Sequence, residues 1–196
     1  MSRISKLDVD QWDPELRAMT RADSATPLEQ GLMRMMAHCP DIAKGFARFG
    51  GALKVHRTLP DRLVELVRLR VAFHNQCRSC MAIRYTDAVD AGVTEGLVCS
   101  LENPPAAEHL TDAEKAAIAY GELMATHHLA IDDAVYENLR RHFTEAEIVE
   151  LGITVGLFVG FGRLAATWHM VEELPEVYRD EPGRITPWMT DFVQVR

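Results

Sequence analysis

Basic residues are too few in this sequence to build a phosphate-binding surface. The 196 residues include 21 Lys and Arg against 29 Asp and Glu, so the formal net charge is −8. A protein that binds nucleic acid through its phosphates carries a basic face, and this charge balance offers none. The composition therefore excludes nucleic acid as the default partner.

Cysteine is also scarce, and its spacing excludes a disulfide framework. Four cysteines occur, of which only Cys77 and Cys80 are closely spaced. With 47% hydrophobic and 26% charged residues, the composition is that of an ordinary globular chain. The isolated Cys39 and Cys99 are predicted to be small buried hydrophobic residues.

The first residues lack the apolar core of a signal peptide. The stretch MSRISKLDVDQWDPEL is polar and charged, which predicts a cytoplasmic protein. In such a compartment a Cys-x-x-Cys pair is more often redox-active or metal-binding than structural.

Only one long apolar run is present, at 151–171. It carries the single fixed charge of Arg163, and acidic residues flank it on both sides. Acidic flanks do not favour membrane insertion, so no membrane partner is predicted. Glycines at 152, 156 and 160 make one helix face flat. The run is therefore predicted to be a buried central helix or a subunit interface.

Strand signals are nearly absent, and the fold class is predicted to be all-α. Thr111 and Thr144 each begin a capping box with a glutamate three residues later. Thr58 is expected to cap a further helix, with Pro60 in its first turn. The pattern predicts a compact bundle of about six to eight helices, at 27–38, 40–54, 60–74, 77–91, 112–127, 132–142 and 145–172.

Residues 1–173 are predicted to form a single domain, followed by a C-terminal arm at 174–196. The arm contains three prolines and has the large apolar residues Trp188, Met189 and Phe192. These side chains are expected to dock on the body of the protein or on a neighbouring subunit.

A weak internal repeat relates two of the predicted helices. A shift of 85 residues aligns 62–66 with 147–151, and it places Arg84 on His169. The two halves would be helical hairpins related by a pseudo-twofold axis, with thiols only in the first half.

The paired thiols and one preceding glutamate are the strongest chemical signal. Cys77 and Cys80 are one helical turn apart, close enough to form a disulfide. Glu65 lies on the preceding helix, on a face that is otherwise apolar. Two interpretations of Glu65 stay open: it accepts a proton from a thiol, or it forms an ion pair with Arg68.

The pattern Glu65-x11-Cys77-x2-Cys80 on two consecutive helices resembles the carboxymuconolactone decarboxylase superfamily, in its alkylhydroperoxidase D-like branch. The resemblance covers roughly residues 30–170. It implies a peroxidase cycle without metal or organic cofactor, in which Cys80 attacks a small-molecule hydroperoxide and Cys77 resolves the sulfenic acid. Glu65 would be the base, and an external dithiol would reduce the disulfide. The helix dipole, in contrast, favours Cys77 as the more acidic thiol.

The sequence departs from this superfamily at two positions that usually carry histidine. These positions are Ser79 and Arg84 here. Arginine stabilises a thiolate but cannot pass a proton. His169 and His74 are the candidate replacements for the missing imidazole.

Two alternatives to a peroxidase remain: a carboxymuconolactone decarboxylase-type lyase, which would not need the thiols, and a non-catalytic helical assembly module. A zinc site would need two ligands beyond the thiolates.

The flat helix face at 151–171 and the apolar C-terminal arm also predict a homo-oligomer. The resemblance implies a trimer or hexamer, and a dimer stays open.

Overall fold

The computed structural model describes residues 1–179, 183–188 and 191–196. Helices account for most of this part of the chain, joined by short 3₁₀ turns. In chain order they are α1 (Pro14–Met19), α2 (Pro27–Gln30), α3 (Met33–Met36), α4 (Pro40–Val55), α5 (Asp61–Asn75), α6 (Arg78–Ala82), α7 (Thr86–Asp90), α8 (Glu95–Cys99), α9 (Asp112–Thr126), α10 (Asp133–Arg140), α11 (Glu145–Trp168) and α12 (Glu176–Arg179). Two short strands, β1 (Ile83–Tyr85) and β2 (Val193–Val195), pair in parallel. The predicted all-α fold class is confirmed.

Helix α5 is the centre of the fold. It packs against α9 on one side and α11 on another, and every residue from 63 to 72 is buried. The main core consists largely of aliphatic side chains from these three helices. Because α5 is enclosed on all sides, its charged residues must find partners inside the protein.

The predicted capping boxes are present at two helix starts. The Thr111 and Thr144 hydroxyls each accept a hydrogen bond from the backbone N–H three residues on, and the glutamates there bond back. The predicted cap at Thr58 is wrong. Pro60 is the cap of α5, and the Thr58 hydroxyl donates to the Glu150 carboxylate at 2.5 Å, which ties the start of α5 to α11.

Two predicted helices are interrupted. The segment 27–38 divides at Gly31, whose φ of +47° is left-handed, so the helix cannot continue there. The segment 77–91 divides at β1, which pairs with β2 from the far end of the chain. Sequence periodicity missed β1 because the pairing is supplied by a distant segment.

Of the three arm residues predicted to dock on the body, Trp188 does so. Tyr178 and Ile185 are buried. The Trp188 ring lies 4.9 Å from the ring of Phe73, whereas Phe192 is 39% exposed. Met189 lies outside the described residues. The arm therefore adds hydrophobic contacts to the helical core.

Helix α11 is long and apolar enough to cross a membrane, judged by length and composition alone. One third (33%) of its most apolar stretch is buried within the described structure. Its inner face includes Leu151 and Val155, which belong to the main core. On its outer face Val149 and Ile153 are 60% and 44% exposed. The helix thus combines a packed face with an exposed apolar one.

Candidate functional site

The two paired cysteines lie at the turn from α5 into α6. Asn75 is the last residue of α5. Gln76 follows with a φ of +50°, and this left-handed residue reverses the chain. Cys77 is the cap of α6, and its Sγ lies 3.4 Å from the backbone N of Cys80. The turn therefore brings both sulfur atoms to the start of a short helix.

Cys77 and Cys80 form a disulfide, with their Cα atoms 5.2 Å apart. Their surroundings differ. Cys77 is fully buried, whereas Cys80 is partly exposed and lines a cavity that Cys77 does not line. A molecule in the cavity therefore meets Cys80 first.

The cavity beside Cys80 has a volume of about 340 Å³. This volume falls in the usual range of small-molecule sites, roughly 300–1,000 Å³. Its walls come from α2 to α6, from α11 and from the chain termini, and they are mostly apolar. The larger apolar side chains are Leu28, Leu32, Met33, Phe46, Ile83, Leu157, Phe158, Phe161 and Met170. Such a site favours a small organic molecule with an apolar body.

Glu65 forms an ion pair with Arg68, the second of the two interpretations open at the sequence level. The two side chains are 3% and 8% exposed. Arg68 Nε donates to Glu65 Oε2, and Arg68 Nη2 donates to Oε1, both at 2.7 Å. Both carboxylate oxygens are therefore occupied by the same guanidinium.

Arg68 also reaches the cysteine segment. Its Nη1 donates to the Cys80 carbonyl at 2.5 Å, and its Nη2 donates to the Ile83 carbonyl at 2.9 Å. The guanidinium lies 5.0 Å from the centre of the Tyr85 ring. Burial lowers the pKa of Arg68, but the charge and hydrogen bonds of Glu65 outweigh it, so the pKa lies above its usual value. The side chain therefore stays cationic.

Arg84 is fully buried and does not line the cavity. Its guanidinium forms two hydrogen bonds to the Glu95 carboxylate, at 2.9 and 3.0 Å. It also donates to the carbonyls of Met81, Ile83 and Pro187. These contacts join β1 to α8 and the arm.

Neither candidate histidine lines the cavity. His74 Nε2 lies 3.4 Å from Glu122 Oε1 without a hydrogen bond. Its pKa is lowered by burial first and then by Arg70, although Glu122 opposes the shift. His169 ends α11 with a φ of +56°, and burial, together with nearby positive charges, lowers its pKa.

A small pocket beside the main cavity contains His169. Ser79 and Ala165 line both spaces, so His169 is one layer behind the cavity wall. The structure thus brings together Glu65, Cys77 and Cys80 through Arg68. It leaves His74, His169 and Arg84 outside the cavity.

Sequence reasoning missed several residues of the site. It treated Arg68 only as a partner of Glu65, and it did not foresee its contact with Cys80. The aromatic wall at Phe158 and Phe161 was hidden in the apolar run, where helical spacing alone does not distinguish cavity from core.

The prediction that the two isolated cysteines are buried is wrong. Cys39 and Cys99 are both free and exposed: Cys39 is the cap that precedes α4, and Cys99 is the last residue of α8. Among the described residues, no three His, Cys, Asp or Glu side chains lie close enough together to hold a metal ion.

Comparison with known proteins gives one family match. The model of the carboxymuconolactone decarboxylase family matches residues 40–123, a segment that contains Glu65, Arg68 and both paired cysteines. The structure is also similar to a solved alkylhydroperoxidase AhpD core, an uncharacterized peroxidase-related protein from Ralstonia eutropha. The TM-score is 0.70 at 18% identity, with 91% of this chain and 94% of that chain covered. This likeness shows the fold.

Curated relatives are uncharacterized proteins. In two strains of Mycobacterium tuberculosis, such a protein is 37% identical over 117 residues, which are 58% of this chain and 40% of the relative. The chain thus spans about two fifths of the length of these relatives. The uncharacterized protein YdfG of Bacillus subtilis is 26% identical over 102 residues, covering 52% of this chain and 69% of YdfG.

Proposed function

We propose that the chain is a thiol-dependent peroxidase of the carboxymuconolactone decarboxylase and alkylhydroperoxidase D-like superfamily, because the family model matches residues 40–123 and the fold is similar to that of a solved AhpD core. It would reduce small organic hydroperoxides through a Cys77–Cys80 dithiol/disulfide cycle. The observation that carries this proposal is the Cys77–Cys80 disulfide, one residue of which, Cys80, lies in the wall of an apolar cavity.

The cycle begins when the Cys80 thiolate attacks the terminal oxygen of the hydroperoxide. The O–O bond breaks, an S–O bond forms, and the leaving alkoxide takes a proton to become an alcohol. The Cys77 thiol then displaces water from the Cys80 sulfenic acid, and the disulfide forms. An external dithiol returns the pair to thiols and becomes a disulfide itself.

The burial of the two residues supports Cys80 as the attacking cysteine. Cys77 is fully buried, and Cys80 lines the cavity, so a bound hydroperoxide reaches Cys80 without rearrangement of the wall. The helix-dipole argument favours Cys77, but α6 is only five residues long and its dipole is correspondingly weak. Access to the cavity therefore supports Cys80 as the attacking cysteine.

The cavity also favours a peroxidase over the lyase alternative. A carboxylated lactone needs cations free to bind its carboxylate. The cations that line the cavity are paired instead: Lys6 with Glu172 and Glu173, Arg34 with Glu173, Arg68 with Glu65, and Arg196 with Glu29. An uncharged organic hydroperoxide suits such a wall better than an anion.

Single-turnover assays test this function. Protein reduced and freed of reductant should consume one equivalent of tert-butyl hydroperoxide as the Cys77–Cys80 disulfide forms. We expect Cys80→Ser to abolish this reaction, because no attacking sulfur faces the cavity. Cys77→Ser should react once and stop at the sulfenic acid.

Cys99→Ser is the matched control, since Cys99 is a free thiol outside the site. It should react like the wild type. Undiminished peroxide turnover by Cys80→Ser would contradict the proposal. Turnover of a carboxylated lactone by the Cys77→Ser/Cys80→Ser variant would favour the lyase.

A further inference from the structure

Arg68 is a buried cation whose contacts with the cysteine segment have no part in the cycle described above. It lies on α5 and lines the same cavity as Cys80. We infer that Arg68 is a positioning residue that stabilises the Cys80 thiolate by its fixed charge, with Glu65 as its counter-ion. The inference deepens the proposed function, on which its catalytic meaning rests.

The hydrogen bonds hold the guanidinium between Glu65 and Cys80. Its Nε and Nη2 bind the Glu65 carboxylate, while Nη1 is directed to the Cys80 carbonyl at 2.5 Å. The carbonyl oxygen and Sγ belong to one residue, so covalent geometry keeps Nη1 within about 7 Å of the sulfur. The bond to Ile83 fixes the guanidinium further, so the cation has a defined place near the Cys80 sulfur.

The same contacts change the expected role of Glu65. A carboxylate whose two oxygens both accept from one arginine is engaged as a counter-ion, and accepting a thiol proton would break that pair. Among the residues that the structure describes, no histidine lines the cavity. Thiolate formation at this site thus depends on a fixed charge, since arginine does not release its proton.

Other charged and titratable groups face the thiol from neighbouring elements. Arg78, between the two cysteines, donates to the carbonyls of Tyr178 and Gly183 in the arm. The remaining such groups in the cavity wall are Lys6, Glu29, Arg34, Tyr85, Glu173 and Arg196. Among the described contacts, Arg68 is the cation that bonds to the backbone of Cys80 itself. Its removal should therefore have the largest effect on the thiol.

The test measures the pKa of the Cys80 thiol from the pH dependence of its alkylation by iodoacetamide, in protein kept reduced by a phosphine. Trypsin cleaves after Arg78, so Cys77 and Cys80 fall in different peptides and mass spectrometry follows each separately. In Arg68→Met we expect the pKa of Cys80 to rise by about one unit, because an opposite charge has been lost.

Arg70→Met is the matched control. Arg70 is a buried arginine on the same helix, but it pairs with Glu122 and does not line the cavity. It should perturb folding to a similar degree and leave the alkylation profile of Cys80 unchanged. A purely structural role of Arg68 predicts the same profile for both variants, which would overturn the inference.

Glu65→Gln keeps the test decisive if Arg68→Met does not fold. With its counter-ion neutral, Arg68 should lower the pKa of Cys80 below that of the wild type. A pKa equal to or above that of the wild type would overturn the inference.

Alkylation needs no peroxide, so the inference about Arg68 and the proposed peroxidase function can be contradicted separately. A shifted pKa without peroxide consumption contradicts only the peroxidase, and peroxide consumption with an unshifted pKa in Arg68→Met contradicts only the role of Arg68.

Discussion

Arg84 shows how one buried side chain can organise distant segments. Its guanidinium has no solvent exposure, yet it bonds to Glu95, to two carbonyls of its own segment and to Pro187 in the arm. A buried cation is tolerated only when its donors are satisfied. The contacts at this position are structural, although the resemblance suggested a place beside the thiols.

We expect Arg84→Met to lower the free energy of unfolding by about 3 kcal/mol, because Glu95 and the carbonyls lose their partner. Urea unfolding followed by circular dichroism measures this change. The control is Arg48→Met, which removes an arginine that is 65% exposed and should change stability by less than about 0.5 kcal/mol. Unchanged stability with lost peroxide consumption would instead place Arg84 in catalysis.

At the scale of elements, close helix packing depends on one glycine in α9. A Cβ atom at Gly121 would lie 2.9 Å from Val67 Cγ1 and 3.4 Å from Val71 Cγ2, both on α5. The missing side chain thus allows α9 to approach the central helix. Of the glycines singled out in the sequence, a Cβ atom at Gly152 would lie 3.3 Å from the Tyr120 hydroxyl, whereas Gly156 and Gly160 face open space.

We expect Gly121→Ala to lower the free energy of unfolding by about 1–3 kcal/mol through overpacking. The matched control is Gly51→Ala in α4, where nothing lies within 4 Å of the new Cβ. That variant should gain about 0.5–1 kcal/mol, because alanine favours a helix over glycine. The urea midpoints of the two variants should move in opposite directions, and a shared direction would contradict this account of the packing.

At the scale of the whole molecule, the apolar outer face of α11 bears on assembly. Val149 and Ile153 are exposed there, and the same face continues to Gly156 and Gly160. An exposed apolar face of this kind is typical of a protein–protein contact. Association into a homo-oligomer is therefore our expectation for this surface.

Analytical ultracentrifugation should give a mass above that of the 22.0 kDa monomer. We expect Val149→Glu/Ile153→Glu to shift the protein to monomer with unchanged helix content, because charge on this face opposes its burial. Leu129→Glu alters an apolar residue that is 84% exposed elsewhere and should leave the mass unchanged. A monomeric wild type, or an unaffected mass in the double variant, would contradict the expectation.

Several features follow from local sequence. The capping boxes at Thr111 and Thr144 depend on contacts within four residues, so the pattern predicts where α9 and α11 begin. The spacing of Glu65, Cys77 and Cys80 indicated the superfamily, and the carboxymuconolactone decarboxylase family model matches residues 40–123, the segment that contains all three. The acidic balance and the paucity of cysteine are properties of composition alone, so they limit the class of protein whatever its fold.

Other features depend on contacts between residues far apart in the chain. The pairing of β1 with β2, the burial of Arg84 and the exposure of Cys39 and Cys99 each depend on which distant segment covers which surface. The cavity is the clearest case, because its wall includes Lys6 and Arg196, from opposite ends of the chain. Local sequence determined the spacing of the paired cysteines and the positions of the main helices. The tertiary structure decided that Arg68 lies beside Cys80 in the cavity wall, and that no histidine among the described residues does. The physical reason is that burial and ion pairing are properties of the packed chain, and helical periodicity does not encode them.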